Sequence, residues 1–89
     1  MIESEITIIN KLGLHARAAS KFVSCASRFG ASIRVAKDGD FVDGKSIMSV
    51  MMLAAGKGSV LSLRVDGDDE AEALEALRAL ANSYFGEGE

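Results

Sequence analysis

The stretch "IRVAKDGDFVDGKS", Ile33 to Ser46, admits two opposed folds. Its second half, Gly39 to Ser46, satisfies the nucleotide-binding pattern G-x-x-x-x-G-K-[ST] in full. A loop of that kind follows a buried parallel strand in a sheet with helices on both faces, and its domain is usually much longer than this chain. The neighbouring residues argue otherwise. Ile33 and Val35 alternate with Ser32, Arg34 and Ala36, as in a half-buried strand. Asp38–Gly39 has the chemistry of a tight turn, and Phe41–Val42 resumes a short strand behind it. Asp40 and Asp43 would also set like charge against a phosphate. We therefore read a hairpin here and treat the P-loop match as coincidence.

Outward from the hairpin the patterns change in turn. Upstream, Ile6 and Ile8 alternate around Thr7, a strand over about residues 3–9. A loop, Asn10–Leu14, contains Gly13, after which Ala19, Phe22, Val23, Ala26 and Phe29 recur at helical spacing, with Gly30 as the stop. Downstream, Ser46 has the chemistry of an N-cap for a short helix, Ile47–Ala55, closed by Gly56. Leu61, Leu63 and Val65 alternate with Ser62 and Arg64, a fourth strand. Asp66–Asp69 turns the chain into a last helix whose first turn is acidic, and Leu74, Leu77, Ala81 and Tyr84 form its expected buried stripe. The order βαββαβα predicts an α+β, open-faced β-sandwich: a four-stranded, mainly antiparallel sheet with three helices on one face.

Composition narrows the function. At 89 residues the chain suffices for one domain, 1–89, and not two. Apolar residues at 48% and charged residues at 26% are a globular balance, and the net charge of −3 argues against a general nucleic-acid binder. No apolar run approaches the ~20 residues of a membrane span, so no insertion is expected. The start, "MIESEITI", lacks the basic-then-apolar pattern of a signal peptide. A single cysteine, Cys25, has no internal partner and reads as a packing residue in a reducing, cytoplasmic setting.

The one histidine, His15, lies in "KLGLHARAASKF", Lys11 to Phe22, at the expected mouth of the first helix. Four readings compete for it. It could be a surface or capping residue without chemistry. It could ligate a metal, but with one histidine and one cysteine ten residues apart no ligand set of usual spacing exists. As a general base it would need a nucleophile and an orienting carboxylate, and none is close in sequence. Lastly, it could accept a phosphoryl group. N–H donors of Ala16 and Arg17 and the positive end of the helix favour an anion there. The Arg17 guanidinium can grip phosphate oxygens, and Ala16, Ala18 and Ala19 leave access open. The neighbours fit covalent phosphate best.

"LGLHARAASKF" together with "GKSIMSVMMLAAGKGS" resembles the HPr family, the histidine-containing phosphocarriers of the bacterial phosphotransferase system. The likeness covers nearly the whole chain. It implies that His15 takes phosphate on Nδ1 from phosphorylated enzyme I, which draws it from phosphoenolpyruvate. The group then passes to a histidine of an enzyme IIA, and Arg17 matches the phosphate-contacting arginine. The protein would be a substrate of phosphotransferases rather than an enzyme, a monomer without cofactor or metal. Two departures stand out: Ala18 replaces the usual proline after the arginine, and Ser24 and Ser27 stand where several relatives carry lysines.

The resemblance also implies that Ser46 is a regulatory phosphorylation site for an HPr kinase/phosphorylase, compatible with its reading as an N-cap. The helix behind it is apolar nearly all round. Val50 and Leu53 are expected to face the core, leaving Ile47, Met48, Met51 and Met52 as an exposed, adaptable docking patch. Two rivals remain at this stage: a ferredoxin-like module that binds a small ligand without phosphotransfer, and a P-loop nucleotide binder.

Overall fold

Apolar residues at every second position give a strand one face to bury, and four segments pair on that basis. The computed structural model describes residues 1–87. In chain order the elements are β1 (Ile2–Thr7), α1 (Ala16–Ala26), β2 (Ser32–Ala36), β3 (Val42–Asp43), α2 (Ile47–Met52), β4 (Val60–Asp66) and α3 (Glu70–Asn82), then a short 3₁₀ turn, Tyr84–Gly86. The sheet runs β1-β4-β2-β3 and every pair is antiparallel. Ile6 stands opposite Leu61, Ile33 opposite Val65 and Val35 opposite Leu63, so all six point to one side. That side is fully covered, with Phe22 of α1, Val50 of α2 and Leu77 of α3 buried in the same core. Each such side chain contributes roughly 1.5–3 kcal/mol by leaving water. Glu3, Arg34 and Arg64 occupy the other, open face, where the Arg64 guanidinium lies 4.1 Å from the centre of the Phe41 ring.

The disputed stretch is a hairpin arm. Val35 pairs with Val42 and Arg34 with Asp43, antiparallel, so Gly39–Ser46 is not the link from a parallel strand to a helix. Phe41 lies just outside β3.

Three helix ends depart from the sequence reading. First, α1 ends at Ala26 rather than running to Gly30. Arg28 and Phe29 close onto Cys25 and Ala26 in tighter i→i−3 bonds, and the N–H groups of Gly30 and Ala31 donate to the Asp69 carboxylate, both at 2.9 Å. A carboxylate from the turn before α3 thus takes up donors that a longer helix would have used.

Second, α2 ends at Met52, not Ala55. Ala54 takes a left-handed φ of 52°, and the Ala55 carbonyl accepts from the Leu14 N–H at 2.8 Å. Gly13 permits this approach: it has a φ of +69°, and a Cβ on it would lie 2.5 Å from the Ala55 oxygen.

Third, Tyr84 is not in the buried stripe of α3. It lies beyond the helix, 38% exposed, and Phe85 fills the core in its place. Tyr84 and Phe85 both have positive φ, at 59° and 53°. Left-handed residues cost roughly 1–2 kcal/mol each. Burying Phe85 returns roughly 1.5–3 kcal/mol, and the charged Lys21 Nζ, donating to the Phe85 carbonyl at 2.7 Å, adds to that. The tail is therefore strapped back across α1.

Candidate functional site

The strap and the Asn10–Leu14 loop meet at His15. Asn10 is fully buried, and its Nδ2 donates to the Gly13 carbonyl at 2.8 Å, holding the loop closed. His15 itself is extended (φ −71°, ψ 179°) and is the N-cap of α1. Its Nδ1 accepts from the Arg17 N–H at 3.3 Å, so that edge of the ring faces the unpaired end of the helix. The other nitrogen, Nε2, meets Oε2 of Glu87. Oε1 of the same carboxylate accepts from Asn10 Nδ2 at 2.9 Å. The Asn10 hydrogen bond, with further help from His15 and Lys21, holds the Glu87 carboxyl below its ordinary range against the opposing effect of burial.

Around this group lies an open cleft of about 630 Å³, lined by Lys11, Leu12, His15, Arg17, Gly86 and Glu87 among others. Arg17 is exposed, and among the described residues its guanidinium has no hydrogen bond or ion pair. No three His, Cys, Asp or Glu side chains among the described residues gather to hold a metal ion. The site thus offers a ring nitrogen at a helix N-terminus, a free guanidinium beside it, and space in front. Such an arrangement suits an anionic group attached to the ring.

A family model described as PTS HPr component phosphorylation site matches residues 2–83. The phosphocarrier protein HPr of Pseudomonas aeruginosa is 62% identical over 86 residues, covering 96% of either chain. HPr of Neisseria meningitidis serogroup A is 58% identical over 89 residues, covering 100% of both. A crystal structure of HPr from Thermoanaerobacter tengcongensis superimposes with a TM-score of 0.93 at 50% identity, covering 98% of each chain. The chain belongs to the HPr family. It is accordingly a phosphocarrier of the phosphotransferase system and not a catalyst.

Against the expectations drawn from the residues around His15, the helix mouth differs in three details. The Arg17 N–H is not unpaired, because the imidazole of His15 takes it. Of the small residues thought to keep access open, only Ala16 borders the cleft; Ala18 and Ala19 are fully buried in the core. Ala18, where the family usually has proline, is therefore a packing position as well as a first-turn one. A carboxylate, whose absence close by in sequence counted against a general-base reading, does meet His15: Glu87, from 72 residues away. No local pattern announces it. The one signal is Phe85, an aromatic residue past the end of the helical stripe, which has to be buried somewhere.

Ser46 lies at the second helix mouth. It is half-buried and extended (φ −112°, ψ 116°), and its Oγ accepts from the Ser49 N–H at 3.3 Å. Val50 is fully buried and Leu53 packs against the core, while Ile47 and Met51 are each 40% exposed, Met48 69% and Met52 79%. With α2 only six residues long, its dipole adds little at Ser46. Ser24, on α1, and Ser27, just past its end, are both exposed.

Proposed function

We propose that this carrier receives a phosphoryl group on Nδ1 of His15 from phosphorylated enzyme I, which draws it from phosphoenolpyruvate, and delivers it to a histidine of an enzyme IIA. The observation that carries this reading is the placement of Nδ1 as the cap of α1, where a phosphoryl oxygen can replace the ring nitrogen as acceptor of the Arg17 N–H. The Arg17 guanidinium, in the same cleft, supplies the planar fork for the remaining oxygens. Ile47, Met48, Met51 and Met52 form the docking patch: four apolar side chains exposed on one short helix that packs beside α1. Ser46 is the regulatory site, modified by an HPr kinase/phosphorylase, and phosphate there acts by adding charge to the edge of the patch. The carrier works as a monomer in the cytoplasm, where the buried thiol of Cys25 stays reduced.

The test mixes the protein with enzyme I and labelled phosphoenolpyruvate. His15→Ala abolishes labelling while the protein remains folded, at the loss of an imperfect cap. Labelling of that variant to the wild-type level removes the proposal. In the same assay Arg17→Lys slows transfer, because an ammonium cannot reproduce the planar fork. Unchanged rates in both directions would reduce the role of Arg17 to its backbone N–H.

A further inference from the structure

The carboxylate on His15 is a more constrained group than its place near the C-terminus suggests. Phe85, two residues before it, is fully buried, and Lys21 of α1 holds the Phe85 carbonyl. Asn10, also fully buried, holds the carboxylate itself. An amide nitrogen has two hydrogens, and Asn10 gives one to Gly13 and one to Glu87. Its Oδ1 is left buried with no partner among the described residues. A buried acceptor without a donor is unfavourable. The orientation of the amide is nonetheless fixed, because both groups facing its nitrogen are acceptors.

That polarity passes on to the imidazole. An ionised carboxylate only accepts, so the ring nitrogen facing Glu87 carries the hydrogen. At the other edge of the ring the Arg17 N–H points at Nδ1, so that nitrogen carries the lone pair. The two contacts demand the same tautomer.

We propose that Glu87, itself oriented by Asn10, is the positioning residue that sets His15 as the Nε2–H tautomer and leaves the Nδ1 lone pair for the incoming phosphoryl group. This rests on the carrier reading above for its consequence, though not for its geometry. In the transfer step the Nδ1 lone pair forms the bond to phosphorus. The donor's bond to phosphorus breaks, and that electron pair stays with the donor. No proton moves, since the Nε2 hydrogen remains on the ring and on Glu87. The ring, now substituted on both nitrogens, becomes cationic, and the carboxylate turns from a hydrogen-bond acceptor into the partner of an ion pair.

The arrangement makes an unusual demand on substitutions. In Glu87→Gln the amide oxygen must face the Asn10 donor, which directs the new NH₂ at Nε2 of His15. Nε2 then has to accept, and the hydrogen moves to Nδ1, in conflict with the Arg17 N–H. Glu87→Ala imposes no tautomer at all. The near-isosteric change is thus expected to be worse than the truncation, the reverse of the order that a packing role gives.

Nitrogen-15 NMR of the ring, at a pH where it is neutral, reads the tautomer directly. The wild-type ring is expected to be Nε2–H, the Gln variant shifted towards Nδ1–H, and the Ala variant between them. Transfer from phosphoenolpyruvate and enzyme I should fall on the order of tenfold to a hundredfold for Gln, and less for Ala. That is short of the ~10⁴-fold lost when a buried triad aspartate becomes asparagine, because Glu87 borders an open cleft. A wild-type ring without tautomer preference, or a Gln variant that keeps the wild-type tautomer and transfers no more slowly than Ala, overturns the proposal. If wild-type protein takes no label at all, the carrier reading fails, and the ring spectra still decide the role of Glu87.

Discussion

Two helix mouths in this protein are closed in the same way and supported very differently. His15 caps α1 and Ser46 caps α2, each accepting a backbone N–H at 3.3 Å. Behind His15 stands a second layer: a buried asparagine, a carboxylate and a strap anchored by a buried phenylalanine. Ser46 has no such layer among the described residues: its Oγ makes the cap bond, its N–H donates to the Asp43 carbonyl at 3.2 Å, and beside it lie four exposed apolar side chains. A group whose ring must present one chosen nitrogen needs its orientation fixed from both edges. A hydroxyl that is only to be modified needs access, and a surface that meets several partners needs adaptability. With the roles proposed above, the two mouths would follow that division.

The largest effect that would break the comparison concerns the patch beside the second mouth. Met48→Glu and Met51→Glu are each expected to weaken binding to enzyme I by roughly tenfold or more, as for a residue at the centre of an interface. The same changes should move stability by no more than about 0.5 kcal/mol, as for exposed positions. Binding titrations and thermal melts on the same variants separate the two. A large fall in melting temperature for both would show that these methionines are core.

A smaller effect isolates the cap. Ser46→Ala removes the acceptor of the Ser49 N–H and should cost about 0.5–2 kcal/mol. In a domain of this size each kcal/mol lowers the melting temperature by roughly 4–8 °C. Ser46→Asp keeps an acceptor and should melt close to wild type, yet bind enzyme I more weakly through its added charge. If Asp destabilises as much as Ala, Ser46 is not acting as a cap.

The smallest effect concerns pH at the first mouth. Glu87 has a folded-state pKa below the ordinary 4.5, chiefly through the Asn10 hydrogen bond. Its contribution is therefore complete above the ordinary value and is lost as pH falls through the lower folded value. Around it stand His15 and Lys21, both of which favour the carboxylate. Below that range the tail should loosen, seen as faster amide exchange at Gly86 and Glu87 without global unfolding. Glu87→Ala should remove this acid transition. Its persistence in the variant would assign the transition to another carboxylate, such as Asp69, whose pKa is also held down.

Local pattern is enough to give the element order, the hairpin over the P-loop match, the N-cap at Ser46 and the division of α2 into a buried Val50 and exposed methionines. All of these rest on periodicity or on residues a few positions apart, where local sterics and hydrogen bonding decide. His15 and Arg17 were legible as a pair for the same reason. Tertiary structure alone decided where the helices stop and what stands behind the histidine. α1 ends early because Asp69, 39 residues beyond Gly30, captures its next donors. α2 ends early because the chain turns left-handed at Ala54, which brings the Ala55 carbonyl to the Leu14 N–H. Phe85 rather than Tyr84 is buried because the chain reverses after α3, and that reversal carries Glu87 to His15 across 72 residues. Contacts of such sequence separation leave no period in the chain; they form only because the packed core brings those backbone and side-chain groups within hydrogen-bonding distance.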